Sequence, residues 1–559
     1  VRTRALPALV LSLLTAGSLA PPTPAAALSL TSPATVSAVS AVSAASASPV
    51  VDDDLAARLR AVPGLTVVSE TQASGHRFFV LTFTQPVDHL RPGRGTYQQR
   101  LTLLHRAEDA PTVLYTGGYG LAVNPTASRT EPTRLLEGNQ VSVEHRFFRS
   151  SRPEPADWRK LDIWQEATDE HRIVQALRTI YSGKWIQTGA SKGGMTSVYH
   201  RRFYPDDVDG VVAYVAPNDR INPLDGAYDR FFATVGDAAC RSALENVQKE
   251  ALKRRDRLVP RLEAEAAQND QTFTRTLGTA DRSFEMTVLD TVWAFWQYLG
   301  VDDCPDVPPA TATDEEIYDW IDSVAGFSFY TDQGLEYYLP YYRQAAEQLG
   351  WPELRFDHLR GLTRYRGLYQ PNSVLPAELR TAHNPLPMLD VDHWVRGRSS
   401  RMMFVYGEND PWGAERFTPS RNDSHLYVAP GANHRANIAA LPEADREAAT
   451  ATLRRWAEVT TSPPAARTAP LPDDDMLPRL SPTTTCSRAA VRADPYRVSG
   501  GRRADPPATR RSPVCRPGTD RALNAERLPC PNRPDRVLLL AGGTGPDGAG
   551  RDLADFPAP

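Results

Sequence analysis

An α/β fold, with a mostly parallel sheet covered by helices on both faces, is the class this sequence predicts, and three observations predict it. Short apolar runs alternate along the chain with segments whose apolar residues recur at helical spacing. Several of those runs end in glycine- or turn-rich loops, where open sheets of this kind place their ligands. One run, "KWIQTG", passes directly into "ASKGGM" and a helical segment, so a strand turns into a helix through small residues alone.

Taken in order, the elements are as follows. Arg2 and Arg4 precede the apolar run "LPALVLSLLTAGSLA" and the small residues Ala25, Ala26 and Ala27, the layout of a secretory signal peptide cleaved near Ala27, spanning 1–27. A small, polar, repetitive stretch over 28–55 reads as a flexible leader or pro-segment. "RFFVLTFTQPVDH" and "YQQRLTLLHR" form an opening pair of strands, and "PTVLYTGGYG" is a strand ending in a glycine loop. "NQVSVEHRFF" is a further strand, and "LDIWQEATDEHRIVQALRTIY" a helix. The strand "KWIQTG", the helix "MTSVYHRRFYP" and the strand "VDGVVAYVAP" complete a first α/β part over 56–219. Over 220–392 the pattern is helical and rich in aromatics, for example "EMTVLDTVWAFWQYLG", as expected of a large cap. "RMMFVYGENDPW" and "SHLYVAPGANH" are two last strands in a second α/β part over 393–459. The Pro- and Arg-rich stretch over 460–559 has little apolar periodicity and reads as a disordered tail.

Composition narrows the function. A chain of 559 residues with 41% hydrophobic content can bury a large core, and a net charge of -4 gives no global bias toward nucleic acid or anionic membranes. Apart from the signal, which is too short for a normal span, no stretch is long and apolar enough for stable membrane insertion. The five cysteines leave one unpaired; Cys240 and Cys304 in the cap are the candidate disulfide, and Cys486, Cys515 and Cys530 fall in the tail. None has zinc-finger spacing, so neither metal nor other cofactor is expected.

The chemistry centres on Ser191. Gly189 and Gly193 flank it in a G-x-S-x-G pattern, the nucleophile elbow. A serine hydroxyl needs a histidine base oriented by a carboxylate, and donors for the oxyanion that forms. In the α/β-hydrolase order both partners follow the serine on loops after late strands, which selects Asp410 in "YGENDPW" and His434 in "GANH", with Glu408 as the substitute acid. The amide after the nucleophile, Lys192, and amides of the "TGGYG" loop, Gly118 and Tyr119, are the oxyanion-hole candidates. The Lys192 side chain is expected to be solvated. The fold class thus sharpens to an α/β-hydrolase with a large helical cap inserted between nucleophile and acid, since 219 positions separate Ser191 from Asp410. Most cap aromatics should be core, while Trp293, Trp296 and Tyr298 are candidates for gripping a flat ring such as proline.

The elements "TQPVDH…GTYQQRLTLLHR", "YTGGYG", "VEHRFF", "GASKGGM", "YGENDPW" and "GANH", in that order, resemble the secreted bacterial prolyl tri/tetrapeptidyl aminopeptidases over roughly Val67 to Leu480. More distantly the chain is similar to the serine peptidases that include lysosomal Pro-Xaa carboxypeptidase and dipeptidyl peptidase II. The resemblance implies an extracellular enzyme that cleaves peptides or proteins after a proline near a free amino terminus, with Ser191, Asp410 and His434 as its triad. Lys192 stands where the lysosomal relatives have tyrosine, which leaves their pocket details untransferred. An exopeptidase needs an anion for the substrate ammonium, and Glu144 in "VEHRFF" is the candidate, with an ion pair to Arg146 or another cation as the alternative. A carboxylester hydrolase on the same triad and a non-catalytic binding protein on a hydrolase scaffold are the rival readings.

Overall fold

The computed structural model describes residues 54–460 except 74, 124–127 and 222–224, so the expected signal peptide, leader and tail lie outside the described residues. One nine-stranded sheet runs in the order β1-β2-β3-β5-β4-β6-β7-β8-β9. Strands β1 (Leu65–Ala73), β2 (His76–Pro86) and β3 (Thr96–His105) pair antiparallel, and β3 pairs antiparallel with β5 (Asn139–Val143). From β5 onward the pairing is parallel, through β4 (Thr112–Thr116), β6 (Trp185–Ala190), β7 (Gly210–Tyr214), β8 (Met402–Gly407) and β9 (His425–Ala429). Every residue of β5, β6, β7 and β8 is buried, as a parallel sheet sandwiched between helix layers requires. This is an α/β-hydrolase fold.

Two helix layers supply that cover. On one face α1 (Asp54–Ala61), α3 (Ile163–Leu177), α4 (Lys192–Phe203) and α12 (Leu386–Gly397) contribute Leu55, Ile173, Met195 and Val391 to a single buried cluster with Phe79, Leu114 and Phe404 of the sheet. On the other, α2 (Glu131–Leu136) and α13 (Glu443–Trp456) bury Leu136, Leu453 and Trp456 against Val113, Ile186 and Val405. Each such side chain removed from water stabilises the fold by about 1.5–3 kcal/mol, an upper estimate because the unfolded chain is already partly compact. Helix α3 begins where Asp162 accepts from the amides of Trp164 and Gln165, which satisfies donors the first turn otherwise leaves unpaired.

Between β7 and β8 stands the cap: α5 (Gly226–Thr234), α6 (Ala238–Lys253), α7 (Arg255–Gln268), α8 (Ala280–Tyr298), α9 (Asp314–Ala325), α10 (Asp332–Glu336) and α11 (Leu339–Gln344). It has its own core, in which Phe284, Phe327 and Tyr318 stack and Leu244, Val288 and Ile321 are buried. A disulfide joins Cys240 in α6 to Cys304, across 64 residues of sequence.

Two details differ from the sequence reading. The predicted cap boundary at 392 cuts through α12, whose Met388, Val391 and Val395 pack on the sheet, so α12 belongs to the hydrolase part. Its apolar stripe has helical spacing whichever layer it faces, and periodicity alone carries no address. Strand β1 was not expected; it is an edge strand with most residues exposed, and "LTVVSETQA" lacks the apolar density of the central strands.

The chain fills β4, then β5 on one side of it and β6 on the other. That reversal opens a crevice at the carboxyl ends of β4 and β6, the place where open α/β sheets hold ligands.

Candidate active site

Ser191 sits at that crevice, between the end of β6 and the start of α4, with φ 57° and ψ −125°. A non-glycine residue at positive φ stores of order 1–3 kcal/mol of strain and persists only where its surroundings enforce it. Here the Ser191 amide donates to the Tyr214 carbonyl at 2.9 Å, tying the turn to β7. The flanking glycines are a steric necessity. A Cβ on Gly189 would lie 2.3 Å from the Gly193 carbonyl oxygen, and one on Gly193 would lie 2.1 Å from that of Thr116. The G-x-S-x-G pattern is thus the trace of backbone packed on backbone.

Asp410 and His434 are delivered by the loops after β8 and β9 and are both buried. His434 Nδ1 lies 2.7 Å from Asp410 Oδ2, while Asp410 Oδ1 accepts from the Trp412 amide at 3.0 Å. An ionised carboxylate only accepts, so the ring hydrogen belongs on Nδ1 and Nε2 carries a lone pair. Nε2 is buried and makes no hydrogen bond among the described residues. The carboxylate thus fixes Nδ1, and Nε2 is the ring nitrogen left to meet a proton. Glu408 is exposed and accepts from the Gly431 amide at 2.8 Å; it does not pair with His434.

The loop after β4 lies against the elbow, since a Cβ on Gly118 (φ +73°) would come within 2.9 Å of Gly193 N and Lys192 C. Of the three amides expected to hold an oxyanion, that of Gly118 donates to Thr116 Oγ1 at 3.2 Å. Those of Lys192 and Tyr119 donate to no acceptor among the described residues. The pair available for a substrate oxygen is thus Lys192 and Tyr119, with Gly118 as the residue that lets the two backbones meet.

The Lys192 side chain is not solvated: the residue is 1% exposed. Its Nζ stands 5.7 Å from the Tyr119 ring centroid and 5.9 Å from that of Phe148, without a hydrogen-bond partner. Burial lowers its pKa to about 7, against the attraction of the buried carboxylates Glu166 and Glu170. Burial likewise raises Glu166, whose Oε2 lies 2.5 Å from His145 Nε2, and holds His145 neutral by lowering its pKa. A hydrophobic residue in sequence context would have flagged this position; a lysine after the nucleophile reads as surface, and nothing local reveals the carboxylates of α3 beneath it.

An aromatic pocket opens from Ser191 into the cap. Tyr119, Trp293, Tyr298, Tyr341, Trp351 and Trp412 line it. Trp412 also stands 6.3 Å, ring to ring, from His434, and Gln297 of α8 accepts the His434 amide at its backbone oxygen (3.2 Å) and Trp412 Nε1 at its side chain (3.1 Å). Trp293 and Tyr298 thus reach the pocket as expected, but Trp296 does not. At 100° per residue it stands about 60° round the helix from Trp293, on the flank opposite Gln297. It is fully buried against Gly236 and borders a different cavity with Phe232 and Leu244.

Glu144 is also away from the pocket. It is fully buried, with Oε1 accepting from the Leu121 amide (3.0 Å) and Oε2 from the hydroxyls of Ser150 (3.0 Å) and Ser151 (2.7 Å). Its cation is Arg100 at 3.9 Å, whereas Arg146 pairs with Asp169. The carboxylate fastens the loops after β4 and β5. The pocket does contain an acidic residue that the sequence reading passed over, Asp290 of α8, half-buried and hydrogen-bonded by the Tyr369 hydroxyl at 2.8 Å. The signal that could have found it is a lone carboxylate inside the apolar run "TVLDTVWAF". Among the described residues one group could share a cation: Asp219, Asp225 and Glu415, with carboxylate oxygens within 4.8 Å of one another.

Comparison with known proteins adds the following. The family model described as PS-10 peptidase S37 matches residues 47–474. A prolyl tri/tetrapeptidyl aminopeptidase of Streptomyces mobaraensis is 52% identical over 411 residues, covering 73% of this chain and 85% of the relative. Among solved structures, VinJ (14% identity, 67% of this chain and 98% of that one, TM-score 0.34) and a proline iminopeptidase of Mycobacterium smegmatis (15% identity, 67% and 99%, TM-score 0.33) are similar.

Proposed function

This chain belongs to the PS-10 peptidase S37 family and is a serine peptidase, and from that premise we propose that it is an exported exopeptidase releasing tri- and tetrapeptides by cleavage after proline. The observation that carries the mechanism is the Asp410–His434 pair: a buried carboxylate fixing one imidazole nitrogen and leaving the other basic. Ser191 attacks the carbonyl of the proline residue while His434 Nε2 takes its proton. The amides of Lys192 and Tyr119 receive the developing oxyanion. Collapse of the tetrahedral intermediate expels the amine of the downstream peptide, protonated by His434, and leaves an acyl-enzyme on Ser191. Water, deprotonated by His434, then releases the acyl group. Asp410 stays ionised throughout and stabilises the imidazolium.

Proline preference is supported by the pocket's walls. Flat indole and phenol rings such as Trp293, Trp351 and Tyr341 offer faces to a pyrrolidine ring, which loses little entropy when held. An esterase acting on acyl chains has less use for a pocket crowded with hydroxyls and a carboxylate. Export is supported by the amino-terminal pattern of Arg2, Arg4 and the apolar run that follows. Amino-terminal sequencing of protein from culture medium should find a start near Leu28 or beyond; a retained Arg2 would overturn export by this route.

The activity is tested with Ala-Ala-Pro-p-nitroanilide. Chromophore release by the wild type, lost by about 10⁶-fold in folded Ser191→Ala, is the expected result. Undiminished turnover in that variant would sink the assignment.

A further inference from the structure

Resting on the exopeptidase reading above, we infer that Asp290 is the anchor for the free amino terminus of the substrate, and that helix α8 measures the length of peptide released. Asp290 is the one carboxylate among the described residues lining the pocket that Ser191 also lines. It is half-buried, open to the pocket, and its neighbours there are neutral phenols: the Tyr369 hydroxyl donates at 2.8 Å and Tyr330 lies beside it. No lysine, arginine or histidine among the described residues pairs with it. A carboxylate flanked by two phenols in an aromatic chamber, with no counter-ion of its own, is the complement of a primary ammonium. The ring faces around it, Trp293 and Tyr342 among them, add attraction for a cation. Burial raises the carboxyl to about 6, so it is ionised at neutral pH and a bound ammonium would stabilise that state further.

The spacing follows from α8. Asp290, Trp293 and Gln297 fall on one face, and the backbone of Gln297 holds the His434 amide. Asp290 therefore stands seven residues, about 10 Å along the axis at 1.5 Å per residue, from the helix end that touches the catalytic histidine. An extended peptide advances about 3.3–3.6 Å per residue, so this stretch of α8, from Asp290 to the support of His434, matches the length of about three residues. Trp293 lies between the two ends, against the residues in the middle. The buried cluster of Asp219, Asp225 and Glu415 is a weaker candidate for the same role: it does not line the pocket, and Arg220 stands 3.7 Å from Glu415.

The test compares kcat/KM for Ala-Ala-Pro-p-nitroanilide with a free and with an acetylated amino terminus, in the wild type, Asp290→Asn and Asp290→Glu. The expected result is a strong preference for the free form in the wild type. In Asp290→Asn the ratio of free to acetylated should collapse by about ten- to hundred-fold, the worth of one charged hydrogen bond, mostly through KM. Asp290→Glu should keep a large part of the ratio. Labelling with a fluorophosphonate reports whether each variant is folded with a competent serine. Should Asp290→Asn fail to label, Tyr369→Phe, which leaves the charge and removes one of its donors, must lower the ratio in its place. In a series from Ala-Pro- to Ala-Ala-Ala-Ala-Pro-p-nitroanilide, the wild type should peak at three or four residues and Asp290→Asn should lose the peak. A labelled Asp290→Asn that retains the wild-type ratio overturns the inference and moves the anchor elsewhere, with Asp219→Asn the next variant. Equal cleavage of both forms by the wild type also overturns it, while leaving a serine peptidase. Cleavage of neither form overturns the proline exopeptidase itself and the anchor with it.

Discussion

The sheet loops and helix α8 face the same pocket from opposite sides, and they place their chemistry by different means. On the sheet side, Ser191, Asp410 and the loop through Gly118 are held by backbone contact: positive φ, carbonyl oxygens within reach of any added Cβ, and amides tied across strands. On the cap side, Asp290, Trp293 and Gln297 are placed by their spacing on a helix and by side-chain contacts, with the Tyr369 hydroxyl on Asp290 and Trp412 on Gln297. Backbone constraint restricts which residues a position tolerates and so writes a motif. Helical spacing restricts only direction, and many side chains satisfy it.

The largest test of this contrast is on the sheet side. Asp410→Asn should keep the fold yet reduce kcat by about 10⁴-fold, because the amide favours the wrong imidazole tautomer. Glu408→Gln, two residues away on the same loop, should change kcat by less than about twofold, since its carboxylate only receives the Gly431 amide at the surface. Comparable losses in the two variants, measured by steady-state kinetics on the proline anilide, would mean that the loop can present either acid.

That loop also explains how much could be read in advance. The parallel strands, the strained turn at Ser191 and the loops that bring Asp410 to His434 were legible because each is written in small residues and apolar runs that the backbone geometry demands. The pairing of Cys240 with Cys304 was legible because both lie in the cap segment, apart from the three tail cysteines. What the cap does with its aromatics was not. Trp293 and Trp296 are equivalent in the sequence and both are buried in the cap core, and only the packing of α8 gives Trp293 an edge on the pocket of Ser191. Glu144 drew attention by its place after a strand, yet the hydroxyls that occupy it come from Ser150 and Ser151, in a turn no pattern announces. Asp290 was missed for the converse reason, as a single acid in a run that otherwise reads as core.

The two tryptophans give the next test, of smaller effect on turnover. Trp293→Ala should raise KM for the proline anilide by about tenfold or more, through lost ring contacts in the pocket. Trp296→Ala should instead cost about 3–5 kcal/mol of stability, as large aromatic deletions in cores do, with KM near that of the wild type where the protein remains folded. A parallel change in KM for both, with melting temperatures unmoved, would show that the faces of α8 are not separated as described.

A further test, with only a modest effect on turnover, falls on Lys192, which belongs to both regimes: its amide is fixed by the elbow, its side chain merely buried. Lys192→Met keeps the amide and much of the volume, so kcat should fall by less than about tenfold, from altered packing beneath Tyr119. Stability is where the charge should register, and the sign can be worked out. In the wild type the folded lysine is lowered to about 7 while the unfolded one keeps its ordinary value near 10.5. The unfolded state therefore binds more protons above pH 7, and the cost of burying this ammonium is relieved as pH rises. Glu166 and Glu170 are shifted the other way, upward by burial, and the lysine restrains that shift. Without it the folded carboxylates retain protons to higher pH while the unfolded ones do not, so stability falls as pH rises. Both contributions have the same sign for the difference between the proteins. The melting temperature of the wild type minus that of Lys192→Met should therefore rise progressively from pH 7 to 9, whatever its sign at pH 5. Curves that stay parallel across that range would place the ammonium outside the field of the two glutamates, and would leave the elbow lysine as a packing residue alone.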